Sequence, residues 1–197
     1  MVRYAPGHKE ESRARIVDAA GRGFRKLGYG GIGVDGLARE AGVTHGAFYG
    51  HFHSKSDAFE AAVVAGLEQL RGGIEMLQAE HGTGWISVFV SYYLGYKRSC
   101  ELGEACTLPS LSPEVERAQA STRSAYQAAL LGVAEAVAAG LVGGAEAERQ
   151  ARAWALLAIL AGGVNMARAV PDPALAEQIA VTVQAAAMRI ANGDAAA

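Results

Sequence analysis

The chain has 197 residues, is 51% hydrophobic and rich in alanine, and holds five prolines and two cysteines; it is long enough for a sizeable core and excludes a disulfide-stapled scaffold or a disordered chain. Its longest apolar run, Ala153–Ala167 between Arg152 and Arg168, falls short of membrane-spanning length, and the first residues hold no apolar core of a signal peptide, so a soluble, cytoplasmic protein with reduced thiols is expected. Net charge is −2, yet residues 1–55 carry nine Lys/Arg against five Asp/Glu and residues 56–197 nine against fifteen, a basic head on an acidic body that points to a polyanionic partner for the head.

Helical periodicity starts at about Lys9, with Ile16, Ala20, Phe24 and Leu27 on one face, and Gly28 is expected to end that helix by supplying a positive φ. After the connector "GYGGIG", a short second helix covers Val34–Ala41 and stops at Gly42. Thr44 caps a third helix that reaches about Phe52, and Ser54 or Ser56 caps a long fourth helix, about Lys55–Glu80. Gly72 and Gly73 weaken that helix, each by about 1 kcal/mol against alanine, and a bend is expected there. One helix is expected over about Thr83–Ser99, followed by the irregular stretch "CELGEACTLPSLSP". Further helices cover about Glu114–Ala139, Ala145–Ala169 and Pro173–Asn192, separated by "GLVGG" and "PDP". No strand alternation and no repeat period is visible. The expected fold is all-α: an amino-terminal three-helix unit, residues 1–55, and a larger helical unit, residues 56–197.

The second and third helices meet the demands of a helix-turn-helix. Leu37 is apolar early in the first helix, Val43 follows the turn, and Phe48 lies inside the second helix. Ala38 is small where the helices cross, and Gly42 tolerates a positive φ in the turn. A generic helical hairpin rarely satisfies all five positions.

The stretch "GVTHGAFYGHFHSKSDAFEAAV", preceded by an amphipathic helix, resembles the amino-terminal domain of TetR-type transcriptional regulators over about Glu11–Val63. The remaining two thirds resembles that family only in length and helical pattern, although "ACTLPSLSPEVERA" looks like the "GCPL…SPEV" stretch of one subgroup. The resemblance implies a dimeric, ligand-responsive DNA-binding regulator, a repressor rather than an enzyme, with no cofactor. The recognition helix is then expected in a DNA major groove with His45, Gly46 and Ala47 nearest the base edges. Thr44 and Tyr49 offer hydroxyls to phosphates, and Lys55 stands where an ammonium and the helix-four amides can hold another. Phe48 and Phe52 are expected in the core. His51 is expected to pack inward; His53 stays open. The sequence departs from the family pattern at His45, Ala47 and Gly50, where a long basic residue, a hydroxyl and a bulky residue are frequent. Few side chains are left to read bases directly, so DNA shape is expected to contribute.

Metal binding by His45, His51 and His53 is disfavoured, because six residues separate the first two and no carboxylate or cysteine completes a set. "GYGGIG" follows a helix and matches no phosphate loop. In the larger unit, Tyr92 and Tyr96, with Trp154, Asn165 and Met166, are expected to line a pocket for a small, mostly apolar or aromatic effector. The last two helices are apolar on more than one face, as burial in a homodimer requires. Cys100 and Cys106 suggest an alternative: thiol-based redox or electrophile sensing on the same scaffold. A helical enzyme or binding module with a look-alike hairpin is the third reading.

Overall fold

The computed structural model describes residues 6–194, with side chains from Glu10, and no strand is present among the described residues. Helix α1, Pro6–Gly31, leaves helical geometry at Gly28, where φ is +73°, as the glycine predicts. Leu27 is exposed there, because the chain turns and Tyr29 closes the core instead. The Tyr29 ring stacks 6.0 Å from Phe24 and meets Phe59 at 5.0 Å. Helices α2, Val34–Glu40, and α3, His45–Tyr49, follow. Helix α4, Lys55–His81, stays helical through Gly72 and Gly73. Its first turns enter the head, with Ala58, Phe59 and Ala62 buried beside Ile16, Ala20, Phe24, Leu37, Phe48 and Phe52. Its later turns bury Leu67 and Ile74 in the body. Packing therefore continues across residue 55.

The body departs from expectation around residues 95–119. The helix expected over residues 83–99 is divided at Gly95 (φ −89°, ψ −88°) into α5, Trp85–Leu94, and α6, Tyr96–Ser99. The stretch read as irregular contains helix α7, Thr107–Val115, despite Pro109 and Pro113. Pro109 lies in the first turn, where its missing N–H would be unpaired in any case. Pro113 cannot donate to the Pro109 carbonyl, and Asn165 Nδ2 donates to that oxygen instead, at 3.1 Å. Helix α8 therefore begins at Ala120 rather than Glu114, and it ends at Gly140. Helices α9, Glu146–Ala169, and α10, Pro173–Asn192, complete the body. Asp172 caps α10 by accepting from the Ala174 N–H at 2.9 Å, with Pro173 at the first helical position. The buried Arg152 guanidinium donates to the carbonyls of Val142, Gly143 and Ala191, tying the α8–α9 turn to the end of α10.

Besides α4, hydrogen bonds from α1 also join head and body. Arg25 on α1 donates through Nε to the Gly103 carbonyl at 2.8 Å and from its guanidinium to Thr107 Oγ1 at 3.3 Å. Burial lowers the Arg25 pKa, against the opposing pull of Asp18 and Glu104. The Tyr29 N–H donates to the Glu114 carboxylate at 3.2 Å.

Candidate nucleic-acid interface

Five residues between α2 and α3 create one rigid corner. Leu37, Ala38 and Phe48 are buried. Gly42 has φ +65°, and the Val43 N–H donates to the Ala38 carbonyl at 2.9 Å. Thr44 is extended, and its hydroxyl accepts from the Ala47 N–H at 3.1 Å, which satisfies a donor in a helix of five residues. Phe48 roots α3 in the core beside Phe52, 5.4 Å away. The opposite face, Thr44, His45, Gly46, Ala47 and Tyr49, is exposed. These five expected contact residues are thus brought together on one surface. The Tyr49 ring lies 4.9 Å from His45.

Lys55 is placed differently. It is half-buried, with Nζ 4.2 Å from the centre of the Tyr29 ring. The start of α4 is capped from within: Ser54 accepts from the Asp57 N–H, and Asp57 accepts from the His53 N–H and the Ser54 hydroxyl. Several other head cations are committed. Arg22 pairs with Asp18 and Glu40, Lys26 pairs with Glu40 at 3.1 Å, and Arg25 is turned into the body. Arg13 lies over Phe52 at 5.2 Å. Of the cations that make up the head's excess positive charge, Arg25 is thus turned away from the α3 surface.

One contact across this corner is invisible in the local sequence pattern. Asp35, in the first turn of α2, places Oδ1 2.5 Å from His45 Nδ1 on α3. Arg13 and Val17 of α1, His51, Phe52 and His53 after α3, and Asp57 and Glu60 of α4 line an open groove. His51 is half-buried. Among the described residues no group of three or more His, Cys, Asp or Glu is arranged to hold a metal ion.

The residues expected to line an effector pocket lie on α5, α6 and α9. Tyr92 and Tyr96 are exposed and stack on each other at 5.5 Å, with Lys97 Nζ 5.9 and 5.7 Å from their rings. Trp154 and Met166 are 37% and 58% exposed on α9. Asn165 is engaged with Pro109. The interior is filled by Trp85, Phe89, Leu156 and Leu160, and Tyr93, rather than Tyr92, is the tyrosine turned inward. Burial pushes the Tyr93 phenol up, and the neighbouring Cys106 thiol adds to that shift.

The cysteines are both unpaired. Cys106 is buried, and burial pushes its thiol pKa up against the opposing Tyr93 hydrogen bond. Cys100 is half-buried; its thiol donates to the Lys97 carbonyl at 3.5 Å, and the Arg168 guanidinium lies 3.9 Å from its sulfur. Arg168 also donates to the carbonyls of Lys97, Arg98 and Cys100, closing the end of α6.

Residues 16–62 match the family described as bacterial regulatory proteins, tetR family. The chain is 40% identical over 65 residues to the HTH-type transcriptional regulator SrpR of Pseudomonas putida, covering 33% of this chain and 30% of SrpR. It is 41% identical over 61 residues to the HTH-type transcriptional regulator TtgR, also of Pseudomonas putida, covering 31% of this chain and 29% of TtgR. The matched stretch thus spans less than a third of these curated relatives. The fold is shared further: the reduced form of E. coli NemR superimposes with a TM-score of 0.75 at 19% identity, over 91% of this chain and 97% of NemR. A TetR-family regulator from Cytophaga hutchinsonii superimposes with a TM-score of 0.74 at 16% identity, over 98% of each chain.

Proposed function

We propose, from the premise that this chain belongs to the tetR family of bacterial regulatory proteins, that it is a dimeric DNA-binding repressor released by a small effector. The observation that carries this reading is the exposed face of α3 on a buried Phe48 root. Its first turn offers His45, Gly46 and Ala47 to base edges, with glycine and alanine letting the backbone come close. Thr44 and Tyr49 supply hydroxyls for phosphates on either side. Lys55 serves a further phosphate, its charge held beside the groove by Tyr29 until duplex binds. The division of labour follows residues 1–55 as reading head and residues 56–197 as sensing and dimerising body.

The dimer forms through α9 and α10. Trp154 and Met166 on α9 and Leu175 and Val181 on α10 leave apolar surface exposed in the single chain, which a two-fold partner would cover. A two-fold axis there sets two α3 helices against successive major grooves of a palindromic operator. The effector is apolar or aromatic, taken by Tyr92 and Tyr96 at the edge of this surface; Asn165 supports the site through Pro109 rather than by touching the ligand. In the thiol-sensing alternative Cys100 is the reactive residue, because Arg168 stands beside its sulfur whereas burial keeps the Cys106 thiol protonated. Location in the cytoplasm follows from the DNA target, and no helix among the described residues is long and apolar enough to cross a membrane.

The test is enrichment of duplexes from a random-sequence library by the full-length chain. A two-fold symmetric consensus whose binding weakens steeply with salt is expected. Failure to enrich any sequence rejects the reading. Release of the enriched duplex by peroxide in the wild type, but not in Cys100→Ser, would favour the thiol alternative.

A further inference from the structure

We infer that Asp35 is a specificity-determining positioning residue of the interface: it fixes which nitrogen of His45 faces the bases. The inference rests on the duplex-binding reading above and adds to it a residue that touches no base.

An acid at a surface that approaches phosphates opposes binding, so the location of Asp35 asks for a reason. Its side chain is 81% exposed, and that of its partner His45 is 55% exposed. Asp35 lies in the first turn of α2, where an acid favours the helix dipole, but that role needs no partner on α3. The contact instead crosses from α2 to α3. The tight turn at Gly42 and the closure of Val43 on Ala38 bring Oδ1 to 2.5 Å from Nδ1.

The chemistry of that contact is restrictive. An ionised carboxylate only accepts hydrogen bonds, so Nδ1 must carry a proton. Nε2 is then the nitrogen left to face outward. If the ring is neutral, Nε2 is an acceptor and matches the amino group of adenine or cytosine in the major groove; if it is an imidazolium, Nε2 donates and matches guanine O6 or N7. Without Asp35 the ring flips and changes tautomer freely, and neither match is enforced. The Tyr49 ring lies 4.9 Å from the imidazole. A second-layer carboxylate of this kind orients a histidine as it does at metal sites, here towards a base edge.

The experiment uses the full-length chain and the duplex it enriches from a random library. Dissociation constants are measured for that duplex and for every single base-pair substitution of one half-site. The proteins compared are wild type, His45→Ala, Asp35→Ala, Asp35→Asn and the double variant Asp35→Ala/His45→Ala. His45→Ala is expected to flatten the preference at one base pair. Asp35→Ala should flatten the same base pair by roughly tenfold and leave the others unchanged. The double variant should lose no more than His45→Ala, and Asp35→Asn, which keeps an acceptor at Oδ1, should retain most of the preference. Two outcomes overturn the inference: Asp35→Ala tightening all duplexes alike, which would make the acid a simple repeller of phosphate, or a changed preference at a base pair that His45→Ala leaves alone. Failure of the wild type to enrich any sequence overturns the duplex-binding reading itself, and this inference with it.

Discussion

Gly66 and Gly72 lie on the same helix and should respond to alanine with opposite signs. A Cβ added at Gly66 would fall 2.0 Å from Thr107 Oγ1, 2.7 Å from its Cβ and 3.0 Å from its Cγ2. Thr107 is buried, β-branched and bonded to Arg25, so it has no flexible end to move aside. Either α7 moves off α4 or Thr107 gives up Arg25. Overpacking of this kind costs about 1–3 kcal/mol, whereas alanine in place of a helical glycine gains up to about 1 kcal/mol. Gly66→Ala should therefore destabilise by up to about 2 kcal/mol. A Cβ at Gly72 meets nothing within 4 Å, so Gly72→Ala should stabilise by about 0.5–1 kcal/mol. Urea unfolding at fixed protein concentration reads both as midpoint shifts at unchanged m. Combining Gly66→Ala with Thr107→Gly should recover much of the loss, because the colliding side chain is gone. If Gly66→Ala stabilises as Gly72→Ala does, the close α4–α7 packing is refuted.

At Gly42 a Cβ also meets nothing within 4 Å while φ is +65°, so Gly42→Ala should lower stability by about 1–2 kcal/mol through backbone strain alone, with Gly42→Asn losing less, as thermal melting will show. Asn165→Leu should cost about 1–3 kcal/mol by orphaning the Pro109 carbonyl, and adding Pro113→Ala, which restores a helical N–H, should return part of it in the same urea assay. Burial raises the pKa of both Cys106 and Tyr93, so the unfolded chain gives up these protons first and stability should fall as pH rises above the ordinary thiol range; urea midpoints from about pH 7 to about pH 10 should decline in the wild type and less in Cys106→Ala. Lys55→Ala and Tyr49→Phe should weaken all duplexes alike, with Lys55→Ala also reducing the salt slope by about 1, as anisotropy titrations against salt will measure.

The helix-turn-helix was legible because its constraints are local. Leu37, Ala38, Gly42, Val43 and Phe48 lie within twelve residues, and each demand is a size or a backbone conformation. The Asp172–Pro173 start of α10 was legible for the same reason. Helix α7 was hidden because Pro109 and Pro113 signal a break, and the compensating donor, Asn165, comes from α9. On α5 the sequence pattern points to Tyr92 as the pocket tyrosine, whereas packing turned Tyr93 inward. Asp35 with His45 and Tyr29 with Lys55 are contacts between helices, set by crossing geometry that no single helix pattern encodes. Trp154 and Met166, expected in the pocket, are exposed on α9 in the single chain, a placement set by how α9 packs on its neighbours.

Hydroxyl-radical footprinting of the enriched duplex by the full-length chain tests the central claim most directly. Two protected patches related by a two-fold axis, about one helical turn apart, are expected. A single unsymmetrical patch, or protection that persists unchanged in the Thr44→Ala/His45→Ala/Tyr49→Ala variant, would contradict it.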